Sequence, residues 1–232
     1  MIFSNPILIS LLFGFIPVFI WLVFWLYEDK QRPEPRSMIL RALIGGMLVV
    51  PLAIPIQQFG FDRFSFGVFS FVIVSISEEV LKYLAAYIFV LRSKENNEPL
   101  DAVIYMITVA LGFSAVENSL FLIQEAQFGA IVPSLVITGN MRFIGATLLH
   151  LISSATVGIF MSLAFYKPKK IKRLAILAGL MLATVLHTIF NLLIIQDVQP
   201  NIFTTFTFVW VGVVVLLLLF EKVKNIRPFN KK

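Results

Sequence analysis

The feature that most constrains this chain is a succession of apolar stretches, each about 19 to 25 residues long against the roughly 20 a helix needs to cross a bilayer, joined by short polar connections. They fall at approximately 6–26, 38–58, 66–90, 102–123, 143–166, 174–195 and 202–220. Runs of this length lack period-two alternation, which excludes a β-barrel and predicts an all-α, polytopic membrane helix bundle of about seven transmembrane helices. An eighth is possible, because charge interrupts 66–90 and can divide it into two shorter helices. The second span carries Arg41, Pro51 and Pro55 and is expected to kink, while the run around Ile131 to Ile137 is too short to cross and is expected to be re-entrant or interfacial.

Composition agrees with lipid as the main solvent. The 232 residues are 59% hydrophobic and 14% charged, where a soluble domain is nearer to a quarter charged. The net charge of +6 does not point to nucleic acid, because no basic patch with interleaved aromatics is present. The cations instead mark topology. Lys30, Arg32, Arg36 and Arg41, then Arg92 and Lys94, then Lys167, Lys169, Lys170, Lys172 and Arg173, then Lys222, Lys224, Arg227, Lys231 and Lys232 fall on one side of a seven-span arrangement. Arg63 and Arg142 fall on the other side, and Lys82 within a span. The positive-inside rule then predicts an outside N-terminus and a cytoplasmic C-terminus. The first apolar stretch has no basic n-region and is longer than a signal-peptide core, so it is expected to be kept as a span. Cysteine is absent, which excludes thiolate chemistry. No internal repeat divides the chain, so residues 1–232 read as one integral membrane domain with a motif-bearing core at about 66–195.

Ionisable groups inside such spans are costly and normally face a bundle interior or a water-filled cavity. Glu78 and Glu79 fall near the middle of the third span, Glu117 about four residues (~6 Å) beyond the centre of the fourth, and His150 and His187 at similar levels in the fifth and sixth. Groups of independent structural role would not need to share a depth, so the coincidence predicts one hydrated chamber. Within the helices, Glu78 and Lys82 stand at i,i+4 and are expected to pair, leaving Glu79, rotated by about 100°, available. His187 and Asn191 also stand at i,i+4, and Phe113 shares a face with Glu117. A carboxylate beside an imidazole can deprotonate water and return the proton to a leaving amine, and an imidazole N–H with an Asn amide can hold the developing oxyanion. Arg142 reads as a snorkelling cation at the rim. Tyr27, Asp29, Glu34 and Pro35 read as an element fixing the first connection at the basic side.

These stretches resemble a known set of motifs. SEEVLK is similar to EExxK, ALGFSAVEN to GxxFxxxEN, and HTIFN to HxxxN of the PrsW family of intramembrane proteases, which belongs with the type II CAAX prenyl endopeptidases and their bacterial relatives. YEDKQRPEPR and DAVIYMITVALGF add to the likeness, which runs from about Trp25 to Asn191. The chain departs from the prenyl-protease branch, which has Arg one residue later than Lys82 and a histidine where Glu117 stands.

The resemblance implies a membrane endopeptidase of a bacterial or archaeal plasma membrane, acting on a membrane-anchored protein such as an anti-sigma factor in a site-1 type of cut. By the same resemblance Glu78, Glu79, Glu117, His150, His187 and Asn191 are the catalytic candidates, with Lys82, Asn118 and Phe113 in support. The expected chemistry needs no cofactor. Zinc is the alternative, since Glu79, Glu117, His150 and His187 offer N and O ligands, although neither HExxH nor its inverse occurs. A proton-coupled transporter using the same carboxylates is a further alternative.

Overall fold

The computed structural model describes residues 5–30, 32–195 and 202–227. The chain runs through α1 (Pro6–Glu28), α2 (Arg36–Phe64), α3 (Val68–Ala86), α4 (Pro99–Gln127), α5 (Val132–Ile144), α6 (Ala146–Leu163), α7 (Lys169–Ile195) and α8 (Ile202–Lys224), with no strand among the described residues. Helix starts follow local chemistry. Asn5 Oδ1 accepts from the Ile7 and Leu8 amides at 3.0 and 3.4 Å, with Pro6 in the first turn. At the start of α4 the Asp101 carboxylate accepts from the Asn97 and Glu98 amides at 2.7 and 2.8 Å.

Six helical stretches among the described residues are long and apolar enough to cross a membrane, with α5 and α6 counting together as one from Val132 to Leu163. Helix α3 is not among these six, because its 19 residues carry three charged side chains, Glu78, Glu79 and Lys82. The fold is therefore an all-α polytopic membrane bundle of six to seven long apolar helices. Helix α3 stays whole instead of dividing at its charges, and it ends in a π-helical turn at Tyr87–Leu91. Pro51 and Pro55 lie inside one continuous α2.

The run near Ile131 forms the start of a short helix of its own. Residue 132 opens α5, which passes along α1, with Leu135 packed in the small core around Ile9 and the Phe143 ring 6.2 Å from that of Trp21. It meets α6 at Gly145, whose φ of −103° and ψ of −80° depart from helical values. The short apolar run is thus the first part of a long broken helix that reaches His150.

Helix α4 is the axis. In its most apolar window 94% of residues are buried, against 33% in α1 and 28% in α7. Close approach depends on glycine at the crossing of α2 and α4. A Cβ on Gly46 would sit 1.9 Å from the Val109 carbonyl oxygen, and one on Gly112 would sit 2.0 Å from that of Leu43. With backbones touching there, α3 and α6 are held against the same axis. The polar side chains of four helices then have nowhere to point but toward each other.

Candidate active site

Five of the intramembrane polar residues, Glu78, Glu79, Lys82, His150 and His187, are each no more than 2% exposed. The structure brings them together with Glu117 between α3, α4, α6 and α7, all but Glu78 joined in one hydrogen-bonded network. It does so as a closed cluster rather than an open hydrated chamber. Only Glu117, with 29% of its side chain exposed, reaches outward.

The roles of the paired glutamates are the reverse of those expected from helical spacing. Lys82 Nζ donates to Glu79 Oε1 at 2.6 Å, an i,i+3 pair, and does not bond Glu78. Glu79 Oε1 also accepts from Ser153 Oγ and His187 Nδ1, each at 2.8 Å, and Glu79 Oε2 accepts from Ser154 Oγ at 3.1 Å. A carboxylate with four donors is fully engaged. The physical reason is the neighbourhood: Glu79 faces the serines of α6, and the long lysine side chain reaches it as readily as it would reach i−4.

Glu78 turns instead toward α2, where Gln57 Nε2 donates to its Oε1 at 2.9 Å. Its other oxygen forms no hydrogen bond although buried. Glu78 Oε2 lies 3.7 Å from His150 Nδ1 and 3.6 Å from His187 Nε2, beyond hydrogen-bond distance. An unsatisfied buried polar atom costs about 1–3 kcal/mol, and more when charged. Such an atom facing two ring nitrogens is therefore the most informative feature of the site.

Each imidazole is oriented through its far nitrogen. His187 Nδ1 meets Glu79 Oε1 at 2.8 Å, and His150 Nε2 meets Glu117 Oε2 at 2.8 Å. A carboxylate can only accept, so these nitrogens donate, and in the neutral tautomer of each ring the lone pair is on the nitrogen facing Glu78. One ligand atom from each of Glu78, His150 and His187 lies within 4.8 Å of the others. Donors sharing one tetrahedral zinc ion stand about 3.3–3.5 Å apart, within a few tenths of an ångström of the 3.6 and 3.7 Å found here. Carboxylates binding the far side of metal-ligating histidines are the usual outer shell of such sites. The residues therefore fit a divalent metal, with Glu78, His150 and His187 as the donors that could hold it, where the zinc alternative drawn from sequence named Glu79, Glu117, His150 and His187. One contact competes: Lys82 Nζ lies 3.1 Å from His150 Nδ1, where its ammonium occupies the lone pair.

The supporting residues are placed as follows. Phe113 packs under the site, its ring 5.4 Å from that of His150 and 4.9 Å from Lys82 Nζ. Asn118 donates to Ser114 Oγ and Thr147 Oγ1 at 3.0 and 2.9 Å. Arg142 is not a snorkelling cation. Its Nε donates to Asn118 Oδ1 at 2.7 Å, and a guanidinium nitrogen donates to Glu117 Oε2 at 3.1 Å. Asn191 is half-buried one turn after His187 and forms no hydrogen bond with the other site residues. Gln57, Ser153 and Ser154 were not singled out from sequence. The serines follow His150 directly in HLISS, and a hydroxyl pair one turn beyond an intramembrane histidine is a usable signal. For Gln57 no such signal exists, because its pairing depends on how α2 crosses α3.

A profile of the PrsW family of intramembrane metalloproteases matches residues 34–220. The protease PrsW of Geobacillus kaustophilus is 27% identical over 188 residues, covering 78% of each chain. That of Clostridioides difficile is 26% identical over 229 residues, covering 95% of this chain and 92% of its own. That of Bacillus subtilis is 29% identical over 136 residues, covering 57% and 62%. No solved structure matches the chain significantly. Motif order, a buried Glu–His–His cluster and a family profile spanning most of the chain lead to one conclusion: this integral membrane protein belongs to the PrsW family of intramembrane proteases.

Proposed function

We propose that the chain hydrolyses a peptide bond of a membrane-anchored protein, using a divalent metal ion held by Glu78, His150 and His187. The observation that carries this reading is Glu78 Oε2, buried, without a hydrogen bond and facing one ring nitrogen of each histidine, of which His150 Nδ1 also meets Lys82. When bound, the metal supplies Lewis acidity and a water acidified toward neutral pH. The chain's own groups do the rest. Glu79 and Glu117 hold the two rings in the ligating tautomer, and Lys82 neutralises Glu79. Glu117 is the carboxylate left to exchange protons with a leaving amine, since its Oε1 forms no hydrogen bond among the described residues. Arg142 keeps it pointed at His150. Asn191, with its amide free one turn from His187, is the candidate to hold the carbonyl oxygen under attack.

The topology that goes with this reading has seven crossings, the basic connections in the cytoplasm and the site in the outer half of the bilayer. The substrate class implied by the family likeness is a membrane-anchored protein, with an anti-sigma factor as the leading candidate. Family membership favours hydrolysis over a carrier role.

A second reading, metal-free catalysis by Glu78 and the histidines, is favoured by the Lys82–His150 contact, which fills a ligating lone pair. Metal content separates the two. Active protein reconstituted in lipid is expected to carry one divalent ion per chain, to lose activity to a strong chelator and to regain it on readdition. Full activity in metal-free protein supports the second reading instead. For the function itself, the membrane proteome of cells carrying wild-type protein is compared with that of Glu78→Gln cells. A product present only in the former is expected, and identical proteomes would reject the protease reading.

A further inference from the structure

One helical turn from the cluster, toward the end where α4 finishes and α8 begins, lies a cavity of about 250 Å³. Its wall includes Phe121, Arg142, Gly145, Ala146, Phe190 and Phe206. Three helices repeat one relation. Phe121 follows Glu117 by four residues on α4, Ala146 precedes His150 by four on α6, and Phe190 follows His187 by three on α7. Residues three or four apart share a helix face, about 5–6 Å along the axis. The cavity therefore sits directly above the site on the faces that build it, and it is not a separate surface feature.

Its chemistry is apolar with one charged post. Arg142 stands over the Phe121 ring at 4.2 Å while bonding Glu117 and Asn118, so the cavity and the cluster share a wall. The break at Gly145 keeps the floor open. A Cβ there would lie 3.5 Å from Phe190 and 3.7 Å from Phe206, narrowing the cavity from α6. Phe121, Met141 and Ile194 are 39–47% exposed, so the opening faces the surroundings of the helices.

We infer that this cavity is a specificity subsite that receives a large apolar side chain of the substrate, one or two residues from the bond that is cut. The inference rests on the proposed protease function. An extended chain advances 3.2–3.4 Å per residue, so a pocket lined about one helical turn, ~5–6 Å along the axis, beyond the site residues would meet the first or second side chain beyond the cleaved bond. A lipid acyl chain could fill an apolar cavity too. However, it would not explain why three site helices each place the lining residue one turn from a site residue, nor why Arg142 ties the wall to Glu117.

The test uses full-length protein reconstituted in vesicles of neutral lipid and a library of peptides varied at every position, with new termini sequenced by mass spectrometry. Wild type is expected to favour Leu, Ile, Met or Phe at one fixed position within two residues of the cut. Ala146→Leu, which fills the cavity, is expected to lower kcat/KM for those peptides about tenfold or more while leaving peptides with Ala at that position within about twofold. Phe206→Ala, which enlarges it, is expected to raise the rate for Trp at that position. An unchanged preference in both variants, each folded and active, overturns the subsite while leaving the protease reading intact. So does a dependence on lipid chain length without a change in preference. If no cleavage depends on Glu78, both readings fall together.

Discussion

Two buried carboxylate clusters occupy this molecule, and they solve the same electrostatic problem in different ways. In the intramembrane cluster three glutamates are met by Lys82, Arg142 and two imidazoles. At the basic end, Asp29 after α1 and Glu34 before α2 lie against Asp101 at the start of α4, with Tyr105 donating to Glu34. The nearby cations are engaged elsewhere: Arg32 bonds Glu98, and Lys224 bonds Glu28 and Glu221. Burial, with repulsion from Asp101 and Glu98, pushes Asp29 up to about 7. Burial likewise pushes Glu34 up to about 8. Each cluster contains one buried carboxylate oxygen without a hydrogen bond, Glu78 Oε2 and Asp29 Oδ2. Beside Asp29 stand other carboxylates, and a proton resolves the conflict. Beside Glu78 stand two ring nitrogens, one of them meeting the Lys82 ammonium, and the proposed metal would be shared among these three groups.

The largest effect expected from this contrast is at Glu78. Glu78→Gln keeps the shape and the acceptor for Gln57 but removes the anionic ligand, so cleavage in reconstituted vesicles should fall by about a thousandfold or more. Thermal stability should barely change, because the replaced oxygen made no hydrogen bond. Substantial residual cleavage would remove Glu78 from the chemistry.

Glu79 should behave in the opposite way. Glu79→Ala strands Lys82 in the interior and removes acceptors from Ser153, Ser154 and His187, so it should destabilise the fold by about 3–5 kcal/mol as well as abolish cleavage. Denaturant unfolding in mild detergent reads this directly. A stable but inactive Glu79→Ala would mean that Lys82 finds another partner.

How much of this was legible beforehand follows from what each signal depends on. Span positions and the shared depth of Glu78, Glu79, Glu117, His150 and His187 depend on counting along single helices, and hydrocarbon length constrains that count. The choice between Glu78 and Glu79 as partner of Lys82 was not legible, since i,i+3 and i,i+4 are both reachable and the decision lies with Ser153, Ser154 and Gln57 on other helices. Arg142 was misread for a similar reason. Its position in sequence looks peripheral, but α5 turns inward along α1 and carries it to Glu117 and Asn118. The long reach of α5 was itself hidden, because Gly139 and Asn140 interrupt the apolar run that would have announced it.

A smaller effect separates orienting from ligating groups. Glu117→Gln leaves a neutral amide oxygen where Arg142 and His150 Nε2 both donate to one charged carboxylate oxygen, so the hold on the ring and its tautomer weakens. Loss of such an outer carboxylate typically costs 10–100-fold in metal affinity or activity. The expected outcome is a drop of about that size in cleavage, partly restored by added metal. No restoration at saturating metal would assign Glu117 to proton transfer alone.

The smallest effect tests the other half of the comparison. Asp29 and Glu34 have folded pKa values raised to about 7 and about 8, above the ordinary 3.8 and 4.5. Between roughly pH 4 and these values the folded chain holds more protons than the unfolded one, so stability must fall as pH rises through that window. The groups facing Asp29 are Asp101 and Glu98, whose charges add to the rise, and the Glu34 backbone amide and Lys224, which oppose it. Thermal unfolding in detergent between pH 5 and 8.5 should give a Tm that declines with pH. Asp29→Asn mimics the protonated acid, so it should shallow that decline and raise Tm at pH 8, while Glu34 maintains the remainder. Cleavage per folded molecule should stay near wild type, because nothing at the basic end contacts the histidines. An unchanged slope would mean that Asp29 is ionised in the folded chain, as Glu79 is beside Lys82, and the two clusters would then be alike where they are argued to differ.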